Sequence, residues 1–333
     1  MALRMHLDAE DLLGCRFAIS PLCQTHEAVR TLRRTERHAY HRAWLRRAGA
    51  ATDLDLSALW LFMPLPGGYT PDFLGPPPDT PYASFEEELA RMRAIDPASA
   101  RAEMARSLAC TPGAAESPRG RAALEDPAAA VQELADVTER AWQALVAPDW
   151  PRLRALLEAD IAYRSRRLAN GGLRALFADL HPAIGWADET LTLPTRGDVP
   201  GVQRPAGRGV LLMPSVFVWP DVVSGFAPPW QPTVIYPARG VGGLWSDAPA
   251  GLPDPLVRLL GRNRAALLAG LGDPAGTTAL AHIHGLAPSS VSAHLAALRD
   301  AGLLVSRRHG HQVLYERTPL GTALAEAARA RIR

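Results

Sequence analysis

The residues with the most distinctive chemistry lie between positions 277 and 317. They combine small hydroxyl-bearing side chains with arginines and histidines. Hydroxyl groups bond to base edges or phosphates, and guanidinium groups bind phosphate oxygens. This combination favours binding to double-stranded DNA. The candidate DNA contacts are Thr277, Thr278, Ser289, Ser290, Ser292, Ala293, His294, Arg299, Arg307, Arg308, His311 and Arg317.

Capping and turn residues predict two helices that carry most of these side chains. Thr277 is expected to cap a helix over residues 278–284, and Gly285 lies in the turn that follows. A second helix is expected from Pro288 to about residue 301, where Gly302 ends it in a left-handed conformation. Two helices joined by a short turn with glycine are typical of a DNA-reading helix-turn-helix.

A β-hairpin is predicted directly after these helices. Residues 303–307 and 312–317 have the composition of strands, and His309 and Gly310 form a tight turn between them. A hairpin in this place is a wing. Residues 254–333 are therefore expected to form a winged helix-turn-helix domain.

The helix over 288–301 has two different faces. At about 100° per residue, Val291, Leu295 and Leu298 cluster on one side, which we expect to be buried. Ser289 and Ala293 lie nearly opposite. An outward face of small polar residues would let the helix enter the major groove deeply.

One pattern runs through the two helices, the turn and the hairpin: Leu280-Ala-x-x-x-Gly285-Leu286-x-Pro-Ser289-x-Val291-Ser292-x-His294-Leu295-x-x-Leu298-Arg299-x-Ala301-Gly302-Leu303-Leu304, then Arg307-Arg308-x-Gly310 and Val313-x-Tyr315. With these residues the segment resembles the ArsR-type (arsenic-repressor-like) winged-helix repressors across helix, turn and wing. That resemblance implies a DNA-binding regulator.

The whole chain also resembles a group of regulators from high-GC Gram-positive bacteria that carry a long uncharacterised N-terminal domain. This resemblance implies a similar fold and no particular ligand. The blocks that carry it are Asp160-Ile-Ala-Tyr-Arg, Leu176-Phe-Ala-Asp-Leu-His-Pro182, Pro214-Ser-Val-Phe-Val-Trp219 and Pro229-Trp-Gln-Pro-Thr233.

Two departures from the ArsR pattern argue against control by metal. The stretch that often holds thiols in metal sensors is Gly276-Thr277-Thr278 here, and the C-terminal helix over 319–332 has no histidine. The wing tip has His311 where the family pattern has arginine. The histidines that lie two residues apart in this segment have no third residue at a spacing suited to metal binding. We therefore expect neither a metal site nor a cofactor.

The N-terminal part has a different organisation. Residues 1–183 have mostly helical patterns, and short β-branched and aromatic runs predict a small antiparallel sheet over about 184–245. A Pro- and Gly-rich tract over 247–254 is the expected linker. The predicted fold class is α+β, with a domain over 1–250 for dimerisation or effector sensing and a DNA-binding domain over 254–333.

Composition excludes several classes of protein. Hydrophobic residues make up 47% and charged residues 21% of the 333, which is typical of a globular chain. Residues 254–333 carry a formal charge of +5 and the remainder −3. Three cysteines do not form a disulfide framework, and no apolar run approaches a membrane span. We expect a cytoplasmic protein without membrane contact.

Aromatic residues are concentrated between positions 186 and 245. Two interpretations stay open, a sheet core packed on helices and an apolar pocket for a small-molecule effector. The candidate pocket residues are Trp186, Phe217, Trp219, Trp230, Tyr236 and Trp245.

Together these patterns predict a transcriptional regulator, a homodimeric repressor that binds a pseudo-palindromic operator. The alternative is a small-molecule-binding or enzymatic N-terminal domain whose winged helix mediates assembly. The chain has no P-loop, nucleophile elbow or dinucleotide fingerprint, so we do not expect an enzyme.

Overall fold

A computed structural model describes most of the chain, and within it the chain forms two compact units. The described residues are 2–34, 41–50, 54–65, 67–194, 201–226, 228–241, 244–245, 254–272, 274–284, 286–309 and 312–330. The first unit comprises 1–37 and 47–238, and the second comprises 38–46 and 239–333. The division therefore falls earlier than the predicted domain boundary at 250, and residues 38–46 join the C-terminal unit. Most of the predicted linker lies outside the described residues.

The helices up to residue 180 occupy most of the predicted helical region. They are α1 (Ala9–Leu13), α2 (Pro21–Leu32), α3 (Arg42–Ala50), α4 (Ser57–Leu61), α5 (Phe85–Arg93), α6 (Pro97–Leu108), α7 (Pro118–Glu125), α8 (Pro127–Ala141) and α9 (Trp150–Leu180).

Side-chain caps explain where several of these helices begin. The Ser20 hydroxyl accepts a hydrogen bond from the backbone N–H of Cys23 at 2.9 Å, with Pro21 at the first helical position. Ser84 and Glu87 form a reciprocal capping box at α5. Gly172, at φ +64°, interrupts α9.

The strands of the first unit form two four-stranded sheets. The first has the order β3-β4-β1-β5 and the second β2-β6-β8-β7. Their bounds are β1 (Ala2–His6), β2 (Arg16–Phe17), β3 (Gly185–Ala187), β4 (Thr190–Pro194), β5 (Val202–Gln203), β6 (Leu211–Ser215), β7 (Val223–Gly225) and β8 (Thr233–Pro237).

The predicted single antiparallel sheet is wrong in two respects. β1 lies inside the region predicted to be mostly helical and pairs antiparallel with β4. β6 and β8 pair in parallel, and all five residues of each are buried. Strands buried on both faces lose the alternation by which sequence reveals a strand, and a pairing between distant segments leaves no local signal.

The second sheet separates two apolar clusters. Leu212 of β6 packs on the side that includes Leu3 of β1 and Phe177 of α9. Leu211 and Met213 face the other side, together with Cys23 of α2. Successive residues of a strand point to opposite faces, so β6 joins the two clusters.

In its described residues the second unit contains five helices after residue 253 and a three-stranded sheet of order β10-β11-β9. The elements are α10 (Asp254–Leu260), α11 (Arg262–Gly270), β9 (Ala275–Gly276), α12 (Thr277–His284), α13 (Pro288–Asp300), β10 (Leu304–His309), β11 (Gln312–Arg317) and α14 (Pro319–Ala330).

Most predicted elements of this unit are present. Gly261 separates α10 from α11, because it adopts φ +77° between them. Gly302 ends α13 at φ +69°, as predicted. Among the described helices of either unit, none is long and apolar enough to cross a membrane.

Glu88 is a buried carboxyl that contacts the start of α2. Its Oε2 accepts a hydrogen bond from the backbone N–H of Leu22 at 2.8 Å. Burial outweighs the hydrogen bonds from Leu22 and Ser20 and raises the pKa of Glu88 from 4.5 to about 8. The folded state therefore binds a proton more tightly than the unfolded state does.

We expect Glu88→Gln to change how stability depends on pH. The contribution of protonated Glu88 is full below about pH 4.5 and is lost as the pH rises through about 8. Relative to Glu88→Gln, the wild-type free energy of unfolding should fall from about pH 5 to 8, by at most about 1.4 kcal/mol per pH unit. Urea unfolding across this range measures it.

Glu87→Gln is the matched control. A hydrogen bond from the Ser84 backbone lowers the pKa of Glu87, so its contribution changes only at lower pH. A constant difference between wild type and Glu88→Gln from pH 5 to 8 would contradict a raised pKa for Glu88.

Candidate functional site

Helix α13 has the two faces that its periodicity predicts. Val291, Leu295 and Leu298 are at most 1% exposed and belong to the core of the second unit. Ser289, Ser290, Ser292, Ala293 and Arg299 are exposed, and His294 is half-buried. The exposed side thus carries small hydroxyl and methyl groups and one cation.

The preceding helix and turn hold α13 in place. Leu280 and Ala281 of α12 are buried, and the backbone N–H of Leu286 donates to the carbonyl of Ala281 at 2.9 Å. Thr277 is half-buried at the first position of α12, and Thr278 is exposed.

The β10–β11 hairpin places its two neighbouring arginines on opposite faces. Arg307 pairs with Leu314 and Arg308 pairs with Val313 in the register. Both arginines are exposed. The Arg307 Nε lies 2.9 Å from Oε1 of Glu316 on the same face. The wing-tip prediction falls on His311, which lies outside the described residues.

Arg317 makes a contact inside the second unit. Its Nε donates to the carbonyl of Leu271, just after α11, at 2.6 Å. This bond ties β11 to the end of α11. At least one N–H of this guanidinium group therefore stabilises the second unit.

The six candidate aromatic residues do not line one pocket. Trp245 belongs to the second unit, where its indole N–H donates to Nδ1 of His41 at 2.6 Å. Phe217 and Tyr236 are buried. These positions favour core packing over ligand contact.

The other three candidates lie apart in the first unit. Trp186 packs against Phe177 with ring centroids 5.0 Å apart. Trp219 contacts His181 edge to face. Trp230 lines a small surface depression beside Arg16 and Gln231.

A cavity of about 450 Å³ opens elsewhere in the first unit, and none of the six aromatic candidates lines it. Its walls come from α2, the segment 68–75, Arg106 of α6, and strands β5 to β8 with their loops. Sequence reasoning missed this site because its walls come from segments far apart in the chain. Phe226 is the one aromatic of the 186–245 group that lines it.

His26 of α2 lines the cavity as a neutral imidazole. Its Nε2 lies 3.2 Å from the hydroxyl of Thr138, which itself donates to the carbonyl of Leu134. Because the Thr138 hydroxyl already donates its proton to Leu134, it can only accept a hydrogen bond from His26. Nε2 of His26 therefore carries the hydrogen, and Nδ1 is an acceptor. Burial and the charge of Arg30 lower the pKa of His26 to about 3.

The described residues give little support for metal binding or for a reactive thiol. Within the described ranges, no three His, Cys, Asp or Glu side chains come together as a metal site. Cys23 lines the cavity, but burial raises the pKa of its thiol well above the ordinary value, so the reactive thiolate is disfavoured.

Comparison with known proteins gives one match. Residues 96–242 match a family of unknown function, DUF5937. The match begins at Asp96, the N-cap of α6, and extends past β8. No curated protein and no solved structure matches the chain.

We expect Arg317→Ala to destabilise the second unit. The substitution removes a charged donor from the Leu271 carbonyl, and hydrogen bonds to charged groups are worth about 1.5–3 kcal/mol. Arg299→Ala is the matched control, because that exposed arginine pairs with the exposed neighbour Asp300 at 3.1 Å and with no other residue in the described ranges. Urea unfolding of both variants tests this. Equal losses would show that the contact with Leu271 contributes nothing specific.

Proposed function

We propose that the chain is a cytoplasmic, homodimeric transcriptional repressor that reads duplex DNA with α13 and is not controlled by metal. The observation that carries this proposal is the exposed face of α13. Four outward positions on either side of the buried Val291 hold small residues, Ser289, Ser290, Ser292 and Ala293, which leave space for base pairs at the helix surface.

The order of elements supports assigning a winged helix-turn-helix to the second unit. α12, a short turn and α13 are followed at once by the β10–β11 hairpin, and β9 pairs with β11 on its other side. In proteins of this class, the second helix of the motif lies in the major groove. In chain order, α13 is the second helix of the proposed motif.

Charge supports the same proposal. The segment 254–333 has a formal charge of +5, although the whole chain has only +2. Cations near DNA displace condensed counterions, and this drives association at low salt. A homodimer would present two copies of α13 to inverted half-sites about 34 Å apart.

The experiment starts with selection of duplexes from a random-sequence library by the full chain. The selected duplex then serves in anisotropy titrations. We expect Ser289→Glu and Ser292→Glu each to weaken binding by at least about a hundredfold, because a carboxylate would face phosphates and base acceptors.

Ala128→Glu is the control for this test, because it adds the same charge to an exposed helical position of the first unit. It should bind like wild type. If both serine variants still bind, α13 does not read the DNA bases. A dimer that selects no duplex would instead favour a winged helix that mediates assembly.

The two hairpin arginines should differ in their effect on salt dependence. Glu316 pairs with Arg307 and places a carboxylate on that face of the hairpin, where it would repel a phosphate, whereas Arg308 lies on the opposite face. We expect Arg308→Ala to reduce the slope of log affinity against log salt by about 0.9, the value for one phosphate contact. Arg307→Ala should reduce it less. Unchanged slopes for both would mean that these hairpin positions do not touch DNA.

A further inference from the structure

We propose that the cavity of the first unit binds an organic anion with an apolar body and a single N–H or O–H donor. Such a ligand would be a carboxylate or sulfonate on an aliphatic or aromatic frame. This binding is independent of the DNA-binding proposal, because every lining residue belongs to the first unit.

The apolar wall follows from the register of the second sheet. Met213 of β6 lies opposite Ile235 of β8, and Ile235 lies opposite Val223 of β7. Residues directly opposite each other share a face of the sheet. These three side chains therefore form a continuous apolar row across three strands on the cavity side.

The polar wall carries more positive than negative charge. Four arginines line the cavity, and the acids that line it are Glu27 and Asp72. Glu27 is already paired with Arg30, whose Nε lies 3.2 Å from Oε1 of Glu27. The cavity thus has two more cations than anions in its wall.

Glu27 and Asp72 can balance at most two of the four arginines. Arg208 donates to the backbone carbonyls of Pro205 and Trp230 at 2.8 and 2.7 Å, and neither acceptor carries a charge. Arg204 is exposed at the cavity and, in the described part of the chain, has no hydrogen-bond or ion-pair partner. An anion beside Arg204 would gain a charge-assisted hydrogen bond.

Two acceptors in the wall require a donor on the ligand. Nδ1 of His26 carries no hydrogen, and a Cβ added at Gly75 of the cavity wall would lie 3.9 Å from it. The buried Oε1 of Gln203 accepts no hydrogen bond from any described residue. A buried acceptor without a donor is costly, so a ligand N–H or O–H would be favoured at Oε1 of Gln203, and Nδ1 of His26 is a second acceptor in the wall.

The size of the cavity suits a small organic molecule. Its volume of about 450 Å³ lies within the roughly 300–1,000 Å³ of small-molecule sites. Apolar side chains with a few placed polar groups are also typical of such sites.

A pair of fluorescent dyes tests the proposal on the full chain. The first is 1-anilinonaphthalene-8-sulfonate, which has an apolar body, one N–H and one sulfonate. The second is N-phenyl-1-naphthylamine, which lacks only the sulfonate. We expect saturable binding of the anionic dye at one site per chain, at least about tenfold tighter than that of the neutral dye.

Arg204→Gln should weaken the anionic dye about tenfold and leave the neutral dye unchanged. Arg167→Gln is the matched control, since Arg167 is exposed on α9 and does not line the cavity. It should leave both dyes unchanged. Equal affinity for the two dyes, or no effect of Arg204→Gln, would overturn an anion site.

Gly225→Phe tests whether the dyes bind in this cavity. Gly225 shares its sheet face with Val223 and Ile235, and an added Cβ would meet nothing within 4 Å. The phenyl ring should fill the cavity and abolish saturable binding of both dyes. Val223→Phe serves the same purpose if the glycine variant does not fold. Unchanged binding in a folded variant of either kind would place the dye elsewhere and overturn the proposal.

Discussion

Three apolar side chains at helical spacing determine what the second unit presents to its surroundings. Val291, Leu295 and Leu298 are buried in one core with residues of α11, α12 and the hairpin. Burial of a side chain of this size contributes about 1.5–3 kcal/mol, so rotation of α13 about its axis is strongly opposed. The same constraint turns Ser289, Ser292 and Ala293 outward. Stability and the proposed recognition surface thus depend on one helix.

In the first unit, helix α2 is likewise held by a buried contact. Gln24 is fully buried, and its side-chain amide donates to the carbonyl of Pro214 and accepts from the N–H of Val216, both at 3.0 Å. These bonds fix α2 to the end of β6. Since His26 and Arg30 are on the same helix, the contact also sets the cavity wall opposite the apolar row of the sheet.

Local signals predicted the second unit well and the first unit only in part. The caps at Ser20 and Ser84, the buried stripe of α13 and the left-handed Gly302 each depend on residues close together in the chain. The pairing of β1 with β4 joins residues 2–6 to 190–194 and has no such signal. The cavity likewise combines α2 with strands about two hundred residues later. The aromatic residues left core packing and an effector pocket both open, and the structure uses most of them as core.

Affinity cleavage of DNA from position 292 tests the central claim, that the outward face of α13 lies on the bases. Cys110, the exposed cysteine, is replaced by serine, and iron–EDTA is attached to Ser292→Cys in the full chain. The matched tether is Glu326→Cys on the exposed side of α14. The account predicts two clusters of strand breaks in the selected duplex, about one helical turn (~34 Å) apart, from position 292 only. Uniform cleavage, or the same pattern from both tethers, would contradict it.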